Sequence, residues 1–276
     1  MNLPKYLNIA CGSSYVRDAN WENIDYSSRD QFVRAQDILG GLQTSRFDYE
    51  VVYCSHFLEH VPVELVPEFL KKCRKLTRGD GVLRLVVPDA EMLLREYITH
   101  CDAASTEKAD YAFVLFLDQC VRRKPGGRLA EYDRRISSGE VSQLRAYSEF
   151  LIGRENAESP LTSAGSSTPS GLISKIAARP GRVLEKLERL YIRAVCSLLP
   201  RAFREQNVAL IGVGERHLWM YDFKSLAALL RAAGYTQVAK VAFNTTSCPD
   251  QFFSPLDEVD GAPRKGFHQL FVEARP

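Results

Sequence analysis

Two aspartates, each placed near a short apolar run, are the first residues here whose types and spacing could do chemistry. Leu7-Asn8-Ile9-Ala10-Cys11-Gly12 is an apolar run with one polar residue, and it ends in a glycine. Thirteen residues after Gly12, Asp25 closes a second run, Trp21-Glu22-Asn23-Ile24-Asp25. A buried parallel strand that stops at a tight turn reads this way. Gly12 can take a positive φ or let a ligand approach the backbone closely. A carboxylate at the tip of the neighbouring strand is placed to hold the two hydroxyls of a nucleotide ribose. The plainer alternative is that Gly12 is an ordinary turn residue and Asp25 a helix cap.

Strands must exist to hold these positions, and the following residues supply them. Phe32 to Ile38 reads as a short third strand ending at the second aspartate, Asp37. Phe47 to Ser55 reads as a fourth strand with its buried part at Val51 to Cys54, followed at once by His56-Phe57-Leu58-Glu59-His60-Val61. Leu65, Val66, Phe69, Leu70, Cys73 and Leu76 recur at helical spacing with charged residues between them, as in an amphipathic helix lying on a sheet. Gly79-Asp80-Gly81 predicts a turn, Val82 to Val87 a fifth strand stopped by Pro88, and Asp89 a cap for a helix from Ala90. This alternation implies an α/β fold, a Rossmann-like, mostly parallel seven-stranded sheet whose ligands lie at the carboxyl ends of the strands. Gly12, Asp25, Asp37, Ser55, His56 and Pro88 all fall at such ends, and their convergence outweighs any one of them.

The organisation expected is a sheet core over 1–95, a mainly helical insertion over 96–215 and a return to the core over 216–276. Within the insertion, Tyr111 to Val121 and Leu129 to Ile152 read as helices, and Arg122 to Arg128 as a solvated basic loop. The stretch 155–171 is rich in Ser, Pro, Thr, Ala and Gly and reads as a mobile loop. From 182 to 198 a clean apolar stripe recurs at helical spacing, which is core packing, a lid or a homodimer face. Further on, Asp222 is a helix N-cap and Gly234 a helix stop; Thr236 to Asn244 is a strand, Cys248 to Lys265 a loop and Gln269 to Ala274 a last strand. The two late strands predict an antiparallel C-terminal edge.

Composition excludes several classes. A net charge of +2 over 276 residues gives no reason to expect nucleic acid, which needs a strongly basic face. There is no apolar run of about 18 residues, so no transmembrane segment is expected. The first residues lack the apolar centre of a signal peptide. The seven cysteines are scattered without a C-x-x-C pair, which fits free thiols in a reducing, cytoplasmic setting and gives no zinc pattern.

Taken together, these stretches resemble the class I S-adenosylmethionine-dependent methyltransferases. The match runs through Leu7 to Gly12, Trp21 to Asp25, Asp37-Ile38, Asp48 to His60 and Gly81 to Asp89. His217-Leu218-Trp219-Met220-Tyr221-Asp222, with Ala233-Gly234-Tyr235, is similar to a branch that accompanies bacterial surface-polysaccharide and glycolipid synthesis. The resemblance covers about residues 5 to 100 and 215 to 275. It implies that the backbone of Ala10, Cys11 and Gly12 meets the methionine part of S-adenosyl-L-methionine. It also implies that Asp25, with Tyr26 after it, holds the ribose, and Asp37 the adenine amino group, with Ile38 beside the ring. Ser55 and His56 then line the pocket near the sulfonium. Ala10 and Ser14 depart from the family's glycines, and the link from Gly12 to Asp25 is too short for a full helix.

Methyl transfer from a sulfonium asks the protein to hold the acceptor in line and exclude water. A hydroxyl acceptor, on a sugar, glycan or small metabolite, also needs a general base, and His56, His60 and His217 are the candidates. Glu59 is either a further candidate or a structural acceptor of backbone bonds, and His60 is expected to bond within the turn before Val61-Pro62. No metal cluster stands out, and nothing requires a metal, though carboxylates near the pocket could bind magnesium as in some catechol-type enzymes. A nicotinamide-dependent oxidoreductase would want G-x-G-x-x-G, where this chain has Gly12 alone. A nucleic-acid methyltransferase would want an Asn or Asp before Pro-Pro-aromatic where Cys54-Ser55-His56-Phe57 stands. A non-catalytic protein that binds the same cofactor is the reading of another class.

Overall fold

The computed structural model describes residues 3–27, 30–153, 180–209, 211–212, 214–248 and 254–276. The strands in chain order are β1 (Tyr6–Ile9), β2 (Trp21–Asp25), β3 (Val33–Ala35), β4 (Tyr49–Ser55), β5 (Thr77–Pro88), β6 (Gln237–Val241), β7 (Glu258–Val259), β8 (Ala262–Pro263) and β9 (Gln269–Arg275). Seven of them form one sheet in the order β3-β2-β1-β4-β5-β9-β6, and β7 and β8 make a separate small hairpin. Strands β1 to β5 pair in parallel, while β9 runs antiparallel to both neighbours, β5 and β6. This is the expected Rossmann-like sheet with an antiparallel C-terminal edge; the reversed strand lies second from the rim and β6 forms the rim itself.

Continuous apolar runs bury β1, β4 and β5 on both faces, as central parallel strands require. On one face Leu7, Ile9, Ile24, Val52, Leu83, Leu85 and Val272 pack against helix α1 (Val66–Leu76) and against Leu226, Leu230 and Ala233 near the end of the chain. The other face carries Tyr6, Trp21, Val51, Tyr53, Val86 and Phe271. It is covered by Phe243, Cys248 and Leu256 from the segment after β6, where a doubly wound sheet would have crossover helices. The links β1–β2 and β2–β3 hold no helix among the described residues. Buried asparagines brace them instead: Asn8 donates to the Ser14 carbonyl at 3.1 Å and Asn23 to those of Val16 and Phe32 at 3.0 and 3.2 Å.

The remaining helices are α2 (Ala90–Asp102), α3 (Thr106–Val121), α4 (Leu129–Ser137), α5 (Arg145–Ile152), α6 (Pro180–Ser197), α7 (Arg201–Asn207), α8 (Phe223–Ala232) and α9 (Ser254–Asp257). Leu93, Tyr111, Leu115, Leu129, Tyr132, Leu144, Tyr147 and Leu151 make a second apolar core among α2 to α5. The anticipated caps are present. Asp89 accepts from the amides of Glu91 and Met92, Asp222 forms a capping box with Ser225, and Gly234 follows α8 at φ +98°.

Several expectations need correction. Gly79-Asp80-Gly81 is extended and part of β5; the register with β4 shifts between Tyr49 and Val51, and a Cβ on Gly81 would lie 2.8 Å from the Tyr49 carbonyl. The third strand stops at Ala35, so Asp37 sits in the turn beyond it. Leu129 to Ile152 is two helices, because Gly139 turns the chain at φ +83° between them. Arg122 is not solvated: it is buried and bonded to Asp118 at 2.8 Å. The stripe on α6 is not core, since Leu187, Leu190, Tyr191 and Val195 are exposed. The segment after β6 is not all loop, for it carries α9 and the β7–β8 hairpin. The loop reading of 155–171 lies outside the described residues.

Candidate functional site

The strand order reverses between β1 and β4: the chain leaves β1 toward β2 and leaves β4 toward β5. A crevice opens outside the carboxyl ends of two such strands, and ligands bind there. The turn after β1 forms one wall. Ala10 and Gly12 both sit at φ +55°, the left-handed region that glycine takes freely and alanine does not. The Gly12 N–H donates to Asp25 Oδ2 at 2.8 Å, and the Ser27 N–H donates to Asp25 Oδ1 at 3.2 Å. These two amides aim the carboxylate while leaving lone pairs free on both oxygens. A Cβ added to Gly12 would meet nothing within 4 Å, so the space over the turn is open. Cys11 is buried beside it, and burial with the Asp25 charge pushes its thiol up to about 12, which removes it as a nucleophile.

Asp37 is exposed, and its Oδ1 accepts from the Leu39 and Gly40 amides at 3.1 Å each. Ile38 beside it is buried, whereas Tyr26 is exposed. An open groove of 710 Å³ lined by Trp21, Phe32 and Arg34 lies at the opposite, amino end of β2. Glu22 in that groove is taken up by Arg34, Ser45 and Tyr49, and neither Asp25 nor Asp37 is among the residues lining it.

The other wall follows β4. Ser55 and His56 leave the strand, with His56 at φ +52°. Its Nε2 lies 3.2 Å from Gln269 Oε1 and its Nδ1 lies 3.3 Å from Glu59 Oε1. Glu59 is wholly buried, yet neither carboxylate oxygen has a hydrogen-bond partner. The His60 amide bonds within its own turn, donating to the Phe57 carbonyl at 2.9 Å, but its side chain does not: Nδ1 lies 2.8 Å from the carbonyl oxygen of Arg216, far along the chain. Since a carbonyl only accepts, Nδ1 donates to it, and in the neutral ring the lone pair then lies on Nε2, 3.9 Å from Glu59 Oε1. The ring of His217 stands edge-on to that of His60 at 4.9 Å, and its Nδ1 is buried without a partner. The backbone holds this junction together. The Leu218 and Trp219 amides donate to the Glu59 carbonyl at 2.6 and 3.3 Å, and the His217 amide donates to Gln119 on α3 at 3.0 Å.

The electrostatics follow from burial. Burial pushes His56 below its ordinary value, His217 down to about 3 and His268 down to about 4. Burial also pushes Glu59 up, but the His56 contact at 3.3 Å and the adjacent imidazoles outweigh it and hold the carboxyl at about 2. Lys265, which also faces Glu59 and His56, is pushed down by burial.

The structure thus gathers His56, His60 and His217 into one cluster and sets Ala10 to Gly12 beside Asp25. Asp37 and Ile38 follow β3 on the same side of the sheet. Sequence reasoning named each histidine separately and missed their meeting with Glu59. The available signal was the Glu59-His60 pair immediately after a strand end.

No family model and no curated protein matches the chain. Among solved structures, it is similar to an S-adenosylmethionine-dependent methyltransferase from Clostridium acetobutylicum, with 15% identity over 33% of this chain and 46% of that one, at a TM-score of 0.27. It is similar to the DhpI–SAH complex with 24% identity over 31% of this chain and 50% of that one, at a TM-score of 0.26. A Rhodobacter sphaeroides protein described as a zinc-dependent alcohol dehydrogenase aligns with 12% identity over 98% of this chain and 83% of that one, at a TM-score of 0.37. The chain thus spans half or less of the first two. Likeness at this level carries no argument about function.

Proposed function

We propose that the protein transfers a methyl group from S-adenosyl-L-methionine to an oxygen of a sugar, glycan or small metabolite. The observation that carries this reading is the Asp25 carboxylate, held by the Gly12 and Ser27 amides at the switch point of a parallel sheet. A carboxylate with free lone pairs beside open backbone fits a ribose with two hydroxyls, and Asp37 is exposed to accept from an adenine amino group. When bound, the sulfonium supplies an electrophilic methyl carbon. The chain's part is to set the acceptor oxygen in line with it and to take the acceptor's proton. The sequence reading offers His56, His60 and His217 for the proton. Of these, His60 has the clearest basic nitrogen, because Arg216 fixes its tautomer with Nε2 free. His217, pushed down to about 3, is the weaker base. Support for the glycan branch comes only from the resemblance around His217 to Asp222.

Calorimetry with S-adenosylmethionine and S-adenosylhomocysteine tests the reading, with NAD as the control. The wild type should bind both sulfur ligands and not NAD. Asp25→Ala removes charge-assisted hydrogen bonds and should weaken binding about 10- to 100-fold. A folded protein that binds neither sulfur ligand ends this proposal; one that binds both without methylating any acceptor is a non-catalytic binding protein.

A further inference from the structure

Glu59 presents a physical problem that the protein's own residues leave unsolved. It is a carboxylate with 0% exposure and two oxygens lacking any hydrogen-bond partner. A buried carboxylate without a hydrogen bond is costly unless a cation or strong donors meet it. The nearest group is His56, whose Nδ1 lies 3.3 Å from Oε1 without making a hydrogen bond, and Lys265 also faces the carboxylate. His60 turns Nε2 toward it with the proton committed to the Arg216 carbonyl on the far side. His217, 4% exposed, brings a ring with an unpartnered nitrogen. One ligand atom from each of Glu59, His60 and His217 lies within 4.8 Å of the others.

We propose that Glu59, His60 and His217 bind a divalent cation at the acceptor wall of the crevice. Two imidazoles and one carboxylate suit zinc, manganese, iron(II) or cobalt, whereas magnesium and calcium favour all-oxygen shells. Bonds of about 2.1 Å set neighbouring ligand atoms roughly 3.4 Å apart in a tetrahedral shell. The cluster therefore tightens on loading by up to about 1.4 Å, a side-chain adjustment. The outer contacts are those of a prepared site. The Arg216 carbonyl fixes the His60 tautomer, which is how ligating histidines are held elsewhere. The Glu59 carbonyl takes the Leu218 and Trp219 amides, so the segment bearing His217 is clamped to the turn bearing the other two ligands.

Three protein ligands leave open positions on the cation. Those positions fit an acceptor with two adjacent oxygens, such as a vicinal diol or a hydroxy acid, and would hold one oxygen for in-line attack and ease loss of its proton. This role in the reaction rests on the methyl-transfer reading, and with the cation bound it takes the place of His60 as base, since Nε2 is then a ligand; cation binding itself does not rest on that reading.

The full chain, stripped with chelator, is titrated with cobalt(II) by visible absorption and with zinc and magnesium by calorimetry. The same titrations are run on His60→Gln, His217→Ala and His100→Ala. His100 is the control, since it pairs with Glu96 and stacks on Tyr147 within the helical layer. One equivalent of cobalt or zinc should bind to the wild type and to His100→Ala, with magnesium much weaker. Affinity should fall at least about tenfold in each of the other two variants, both checked for native circular dichroism. Absence of binding by the folded wild type overturns the proposal, and so does binding that neither variant weakens. If His217→Ala does not fold, His60→Gln decides alone, because that side chain is partly exposed. S-adenosylhomocysteine binding is measured on the same samples. Its absence with cation binding intact sinks the methyl-transfer reading alone, and the reverse result sinks the cation site alone.

Discussion

Replacing Arg84 with Met should be among the most damaging single changes in the sheet. Arg84 is 0% exposed in the middle of β5. Its Nε donates to Asp257 Oδ2 at 2.7 Å and its Nη1 to Glu273 Oε1 at 2.9 Å. Further bonds reach the carbonyls of Thr245, Ala242 and Phe243 at 2.9, 3.3 and 3.1 Å. Without the guanidinium, the hydrogen bonds left to the two buried carboxylates among the described residues come from neutral donors: Tyr53 for Asp257, and Thr246 and Ser247 for Glu273. Breaking a buried ion pair from one side costs about 3–5 kcal/mol. At roughly 2–3 °C per kcal/mol for a chain of this size, Tm falls by about 6–15 °C. The pH dependence has a definite sign. Burial already raises the Asp257 carboxyl, with Arg84 opposing, and losing Arg84 raises it further. The folded variant then holds a proton that the unfolded chain releases, so its deficit is full above the raised value and shrinks as pH falls toward the ordinary carboxylate range. Denaturant unfolding of both proteins at about pH 8 and about pH 5 measures this. A loss below about 1 kcal/mol, or one equal at both pH values, would refute the assignment of Arg84 as the counter-charge.

Two further changes probe the crevice and the helical layer. Gly12→Ala places a Cβ on a residue at φ +55° with nothing within 4 Å, so stability should fall only by about 1 kcal/mol of backbone strain. The new methyl enters the space beside Asp25, and cofactor affinity should drop by more than that strain explains; calorimetry showing unchanged affinity would remove this turn from the binding site. Asp133 has its carboxyl raised to about 6 by burial, with Arg122 partly opposing. The wild type therefore loses stability as pH rises from about 4 through about 6, and Asp133→Asn, which cannot ionise, should escape that loss. Discounted for the solvent that reaches this side chain, the gain is about 1 kcal/mol at pH 8, vanishing near pH 4. Parallel melting curves at the two pH values check it.

The strands were legible where burial writes itself into composition. Leu7, Ile9 and Val51 to Cys54 are apolar because both faces of the sheet are covered there. The caps Asp89 and Asp222 were legible because residue type decides capping locally. The Gly79-Asp80-Gly81 reading failed because a bulge and a turn use the same residues, and pairing with β4 chose between them. The break at Gly139 was missed because apolar periodicity continues across it. His60 and His217 meet through hydrogen bonds from Arg216 to Trp219 onto the Glu59 turn, a contact that no local spacing encodes. Arg84 did leave a mark, a charge inside the apolar run Val82 to Val87, and such an intrusion marks a buried partner elsewhere in the chain.

The place of β9 between β5 and β6 also sets an order of events in folding. Leu83 to Pro88 find their partners at Gln269 to Ala274, beyond the entire helical layer. Until those two stretches meet, β5 is an open edge with unpaired amides, and Arg84 lacks Glu273. Strand pairing at such sequence separation is slow, because the loop between must close first. Helices α2 to α5, whose own core is built from nearby residues, can form earlier and shorten that loop. A destabilised helical layer should then show itself first as slower closure of the sheet and as aggregation through β5, before any loss of native stability at equilibrium is noticed.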